Sequence, residues 1–115
     1  MFKAFYIDQC PHSKQTFETL STYTSAELIL CPNYTHDDSD FIEISKTYSS
    51  FPKVFYKIND KYVFIGGNTE LQTLLTEFQK LKENCDDKIS THKYIDKKIA
   101  CQIYIDLITN PLKQI

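Results

Sequence analysis

Apolar positions along the chain fall into short runs divided by polar tracts, and the spacing within the runs switches between continuous and periodic. Phe2 to Ile7 is almost continuously apolar, broken by Lys3, which predicts a central strand buried on both faces. Phe17, Leu20 and Tyr23 then recur at threefold spacing behind Pro11, whose fixed backbone angle suits a first helical position. A helix from Pro11 to Tyr23 is expected. Ala26 to Cys31 (AELILC) predicts a second strand, closed by Pro32. Beyond the polar NYTHDDSD, Asp40 stands three residues before Glu43 at capping-box spacing, and Phe41, Ile44 and Tyr48 share one face of a short helix. Strand, helix, strand, helix favours parallel pairing of the two strands.

The pattern then changes. KVFYKI and KYVFI flank Asn59 and Asp60, both tolerant of positive φ, so a tight hairpin should add an antiparallel pair. The only two glycines, Gly66 and Gly67, are adjacent and follow the second of these strands; the backbone there needs freedom that a Cβ would block. Thr69 is expected to cap the next helix, whose Leu71, Leu74, Leu75, Phe78 and Leu81 form the best helical stripe in the chain. After the polar ENCDDK, Ile95, Ile99, Ile103 and Leu107 recur every fourth residue until Asn110 and Pro111 stop a last helix. The expected architecture is α/β: a four-stranded mixed sheet in the order βαβαββα, flanked by helices, with an extra C-terminal helix. Residues 1–84 should form the domain, and residues 85–115 an extension packed on it or used for dimerisation through the Ile95 to Leu107 stripe.

A chain of 115 residues with 42% apolar and 14% aromatic residues has material for one core. Thirteen basic and fifteen acidic residues give a net charge of −2 with no long run of either sign, so nucleic acid is not an expected partner. No apolar run approaches the roughly 20 residues of a membrane span, and MFKAFYI shows no cleavable small-residue site. A soluble cytoplasmic protein is expected, in the host cytoplasm if the composition rich in Lys, Ile, Asn and Tyr reflects a viral source. The cysteines at 10, 31, 85 and 101 are widely scattered, which suits reduced thiols better than a disulfide framework. Cys31, Cys85 and Cys101 read as core or surface filler. With no close C-x2-C or H-x3-H pair, no structural metal is expected.

Cys10 is different because it falls where a strand meets a helix. Unpaired N–H groups and the positive end of the helix dipole both favour thiolate there. Cys31-Pro32 repeats the dipeptide where no helix follows, so the wider context has to decide. That context is Cys10-Pro11-His12-Ser13 between strand and helix, Ser50-Phe51-Pro52 opening a hairpin, and Gly66-Gly67-Asn68-Thr69-Glu70-Leu71 opening a helix. Over residues 1–82 the chain thereby resembles a glutaredoxin, which implies a thioredoxin fold. The resemblance implies that Pro52 is cis and that the Phe51 backbone pairs with the cysteinyl part of glutathione. Gly67 would let the chain turn so that Asn68 and Thr69, at a helix N-terminus, hold the γ-glutamyl carboxylate, while Glu70 takes the amino group.

Ser13 stands in place of a second Cys, so the resemblance implies monothiol chemistry: Cys10 as nucleophile, Ser13 hydrogen-bonding the thiolate or facing the helix, and glutathione as co-substrate with no permanent cofactor. His12 would help hold the thiolate if protonated; as an exposed first-turn residue it would be mostly neutral at pH 7. Many glutaredoxins carry a Lys where this chain has Ile7, leaving Lys46 and Lys53 as candidates for the glycyl carboxylate. The implied partners are glutathione and glutathionylated or disulfide-containing proteins. Two alternatives stand beside this reading. One is a glutathione-dependent [2Fe-2S] protein, although such members usually have Gly-Phe between Cys and Ser. The other is a redox-inert thioredoxin-fold module that docks a partner through its last helix.

Overall fold

The computed structural model describes residues 1–22, 26–81 and 91–109. Strand β1 (Phe2–Tyr6) lies inside a four-stranded sheet of order β2-β1-β3-β4. Helix α1 (Pro11–Leu20) crosses over to β2 (Glu27–Leu30), which pairs parallel to β1 with Tyr6 opposite Leu30. The short helix α2 (Ser39–Ser45) leads into β3 (Lys53–Ile58), antiparallel to β1 with Phe5 opposite Lys53. Asn59 and Asp60 both take positive φ, as a two-residue hairpin turn requires, and deliver β4 (Lys61–Gly66) against β3. Helices α3 (Asn68–Lys80) and α4 (Lys97–Thr109) follow, so the described residues form an α/β structure of a mixed sheet and four helices.

The strand alternation sorts side chains onto two unequal faces. Phe2, Ala4, Val54 and Tyr56 join Leu20, Leu71, Leu74, Ile103 and Leu107 in the larger core, covered by α1, α3 and α4. Phe5, Phe55, Cys31 and Phe41 form the smaller core, under α2. Ile95, Ile103 and Leu107 are buried there in the larger core with Ile99 packed against it, so the C-terminal stripe is spent on this chain's own sheet. Tyr56 donates to the Asp106 carboxylate, and His92 pairs with Glu77 at 2.9 Å, which ties the last segment to β3 and α3. No helix among the described residues is long and apolar enough to cross a membrane.

Several element ends differ from the sequence expectation, each for a local reason. Helix α1 stops at Leu20, where the Ser21 and Thr22 hydroxyls donate to the carbonyls of Glu18 and Thr19; Tyr23 lies outside the described residues. Helix α2 is capped by Asp38, whose carboxylate accepts the Phe41 N–H at 3.0 Å, and not by Asp40. Asp40 is in the first turn, where it joins Asp38 in pairing with the Lys3 ammonium at 3.3 and 3.1 Å. That pairing, with the Tyr62 ring 3.8 Å beneath the ammonium, explains how a lysine can interrupt a buried strand. Helix α3 is capped at Gly67 and not at Thr69: the Glu70 carboxylate reaches back to accept the Gly67 N–H at 2.7 Å.

Candidate functional site

Three chain segments meet at one end of the sheet because of its register. β1 runs out past Phe5 toward Cys10 where β3 begins at Lys53, and β4 ends at Gly66 opposite Val54. The Phe51–Pro52 peptide bond is cis. Cys10, the Phe51-Pro52 pair and the Gly66-Gly67 pair therefore share this end, although more than 50 positions separate the first from the last.

Cys10 is the N-cap residue of α1, with an extended backbone, and its carbonyl accepts the Lys14 N–H at 2.9 Å. Gln9 before it takes positive φ, an uncommon conformation outside glycine that turns the chain from strand into helix. The thiol is free and partly exposed. Its pKa lies below that of an ordinary thiol, chiefly because the Ser13 backbone N–H faces the sulfur. Burial works against this shift, while the Ser13 hydroxyl and the His12 N–H add to it. No side-chain cap hydrogen bond of ordinary geometry closes at Cys10.

Ser13 is fully buried, and its oxygen accepts the Ile7 N–H at 3.3 Å while its hydroxyl faces Cys10. One side chain thus spans the strand end and the sulfur. His12 is exposed on the first turn of α1.

At Gly66 φ is +130°, and an added Cβ would lie 2.6 Å from the Glu70 side-chain carbons. Gly67 is needed for a different reason: its φ is ordinary, but a Cβ there would collide with the Tyr48 hydroxyl and approach the Pro52 carbonyl to 3.4 Å. Glycine thus permits a turn at one position and a close approach at the next.

The residues expected around glutathione are placed unequally. Phe51 is half-buried and Pro52 buried at the start of β3, and Gly67 packs beside Pro52. Thr69 is exposed in the first turn of α3. Asn68 turns its side chain away, accepting from Thr16 at 2.9 Å and donating to Gln15 at 2.6 Å, so it stitches α3 to α1. Any anion contact at Asn68 is left to its backbone N–H. Glu70 has one carboxylate oxygen committed to the Gly67 N–H.

The two lysines considered for a carboxylate also part company. Lys46 is exposed and pairs with Glu43 at 3.0 Å. Lys53 is only 1% exposed and points inward, donating to the carbonyls of Tyr48 (2.7 Å) and Ser50 (3.0 Å), with its ammonium 4.6 Å from the Phe51 ring centre. Burial lowers its pKa, and Cys31 opposes that shift. Lys53 thus braces the segment before Pro52 from inside, where the sequence suggested a surface cation.

Two aromatic residues near the site have places the sequence pattern did not indicate: Tyr48, expected on the face of α2 with Phe41 and Ile44, lies beyond the end of that helix at Ser45. Tyr48 packs edge-on against Phe64 (5.0 Å) and Tyr94 (5.8 Å), and its hydroxyl pKa is raised by burial, then by the Glu70 carboxylate and Tyr94. Tyr34 is 63% exposed, has positive φ, and meets the Phe51 ring edge-on at 5.9 Å.

Cys31 is buried in the smaller core and its pKa is raised by burial, against the pull of Lys53. Cys101 is disulfide-bonded, which corrects the expectation of a reduced thiol at that position; Cys85 lies outside the described residues. Compared with known proteins, the chain matches no family, no curated protein and no solved structure.

Proposed function

We propose that the chain is a glutaredoxin-like thiol-disulfide oxidoreductase with a thioredoxin fold, acting by a monothiol mechanism through Cys10. The observation that carries this reading is a partly exposed thiol at a helix N-terminus whose pKa is lowered by the Ser13 N–H. Thiolate is the nucleophile in disulfide exchange, so a lowered pKa raises its fraction near neutral pH.

In the first step the Cys10 thiolate attacks the glutathionyl sulfur of a protein-glutathione mixed disulfide. The old S–S bond breaks, the protein sulfur leaves as thiolate and takes a proton from water, and Cys10 holds glutathione as a new mixed disulfide. A glutathione thiolate then attacks the glutathionyl sulfur on Cys10, giving oxidised glutathione and returning the Cys10 thiolate. Ser13 takes no electrons in either step; its hydroxyl faces the charge that Cys10 carries before and after them. Phe51 would pair with the glutathione backbone, and the N–H groups of Asn68 and Thr69, unpaired within the first turn of α3, would receive its γ-glutamyl carboxylate. The uncommitted oxygen of Glu70 is the acceptor for the amino group.

Turnover of a glutathionylated small thiol, coupled to reduction of oxidised glutathione, tests the reading. Cys10→Ser should abolish the activity. Full activity retained in that variant, or none in the wild-type chain, overturns it.

A further inference from the structure

Beside Cys10 lies a groove of about 760 Å³ lined by Tyr6, Asp8, Cys10, Lys14, Phe17 and Glu18, among others. Its helical wall is one stripe of α1, since positions 10, 14, 17 and 18 follow the i, i+4, i+7, i+8 spacing of a single helix face. Its floor is aromatic. The Tyr6 and Phe17 rings pack 5.3 Å apart, and Phe17 remains 40% exposed. All of the lining residues lie between positions 6 and 18, so none comes from β3 or α3, where glutathione is placed above.

We infer that this groove seats a cationic side chain, arginine or lysine, of the protein from which Cys10 removes glutathione; the inference rests on the function proposed above. Two features select a cation over a plain apolar chain. The charged groups on the groove are two carboxylates, Asp8 and Glu18, against one ammonium, Lys14, leaving a negative balance. Exposed ring faces attract a cation, and the aliphatic stem of arginine or lysine can cover the rings while its head meets a carboxylate. The geometry also sets the distance. Glu18 lies eight residues along α1 from Cys10, roughly 12 Å at the helical rise, which an extended peptide covers in about three to four residues. The selected cation therefore belongs about three residues from the modified cysteine. Because glutathione and the peptide would use different residues, both can be held at once.

The test uses the full-length Cys10→Ser chain, which cannot exchange, and short fluorescent peptides read by anisotropy. Each peptide carries one central cysteine, S-glutathionylated or S-methylated, and Arg, Leu or Glu three residues away. The Arg peptide should bind about fivefold tighter than the Glu peptide in both cysteine forms. Phe17→Ala should remove most of that preference, and Glu18→Lys or Asp8→Lys should reverse it; these side chains lie outside both buried cores. Equal binding of Arg and Glu peptides, a preference that survives the substitutions, or no binding of any peptide overturns the inference. A preserved Arg preference with S-glutathionylated peptides binding no better than S-methylated ones supports the groove and counts against the glutathione reading instead.

Discussion

At the scale of single residues, Ser13 has the most to explain, because a hydroxyl with no exposed surface sits beside the candidate nucleophile. It meets the burial requirement by accepting the Ile7 N–H, which leaves its own proton to donate, and this hydroxyl helps lower the Cys10 pKa. Ser13→Ala should therefore raise the Cys10 pKa and slow its alkylation by iodoacetamide below the new midpoint, while the plateau rate at high pH changes little. A pH profile of the alkylation rate reads both; an unshifted midpoint would remove the hydroxyl from the account. Lys53 shows the same economy with a full charge. Two carbonyls and a ring face receive its ammonium, so the cation stabilises the approach to β3 and is withheld from solvent.

At the scale of elements, Asp38 does two jobs that a reading of α2 alone would assign to one residue each. Its carboxylate caps the helix at Phe41 and pairs with Lys3, whose side chain is 4% exposed. Asp38→Ala should cost about 2–3 kcal/mol in urea unfolding, about 1 from the cap and the rest from weakened pairing of a buried ammonium. Burial alone would push the Asp38 carboxyl up, but the Phe41 N–H and Lys3 outweigh it and hold the pKa below the usual range. The folded state thus takes up this proton less readily than the unfolded chain. Its contribution is complete above the unfolded pKa of roughly 4 and is lost as pH falls through the lower folded value. Asp38→Asn should accordingly flatten the acid side of the stability profile.

The same helix shows what the sequence could disclose. All eight elements among the described residues were legible, because apolar runs and stripes are local patterns and Asn59-Asp60 suits a tight turn. The caps were not, since Asp38 and Asp40 suit the position equally until Lys3 arrives from β1, 35 positions away. Cys10 and Ser13 were legible for the opposite reason, being neighbours in the chain. Tyr48, Lys53 and the outward side of Phe17 gain their meaning from sheet register, which no local window contains.

At the scale of the whole molecule, the two faces of the sheet carry unequal shares of the burial. α4 belongs to the larger share, with Ile103 fully buried and Leu107 and Tyr104 nearly so. Ile103→Ala should cost roughly 2–5 kcal/mol and leave a single unfolding transition, whereas Ile105→Ala, at a position 47% exposed, should stay within about 0.5 kcal/mol. Thermal and urea melts of the pair decide whether the last helix is part of the cooperative core. If Ile103→Ala produced two transitions, α4 would be a separately melting appendage.

The buried Ser13 also bears on the monothiol chemistry proposed for this site. Exchanging one oxygen atom for sulfur at that position would place two sulfurs face to face, and the protein could then store an electron pair within itself between encounters. The exchange has a built-in opponent. Sulfur is the larger atom and the poorer acceptor, so the Ile7 N–H would lose its partner at the strand end that aims Cys10. The proposed dependence on an outside thiol is the counterpart of a well-held backbone.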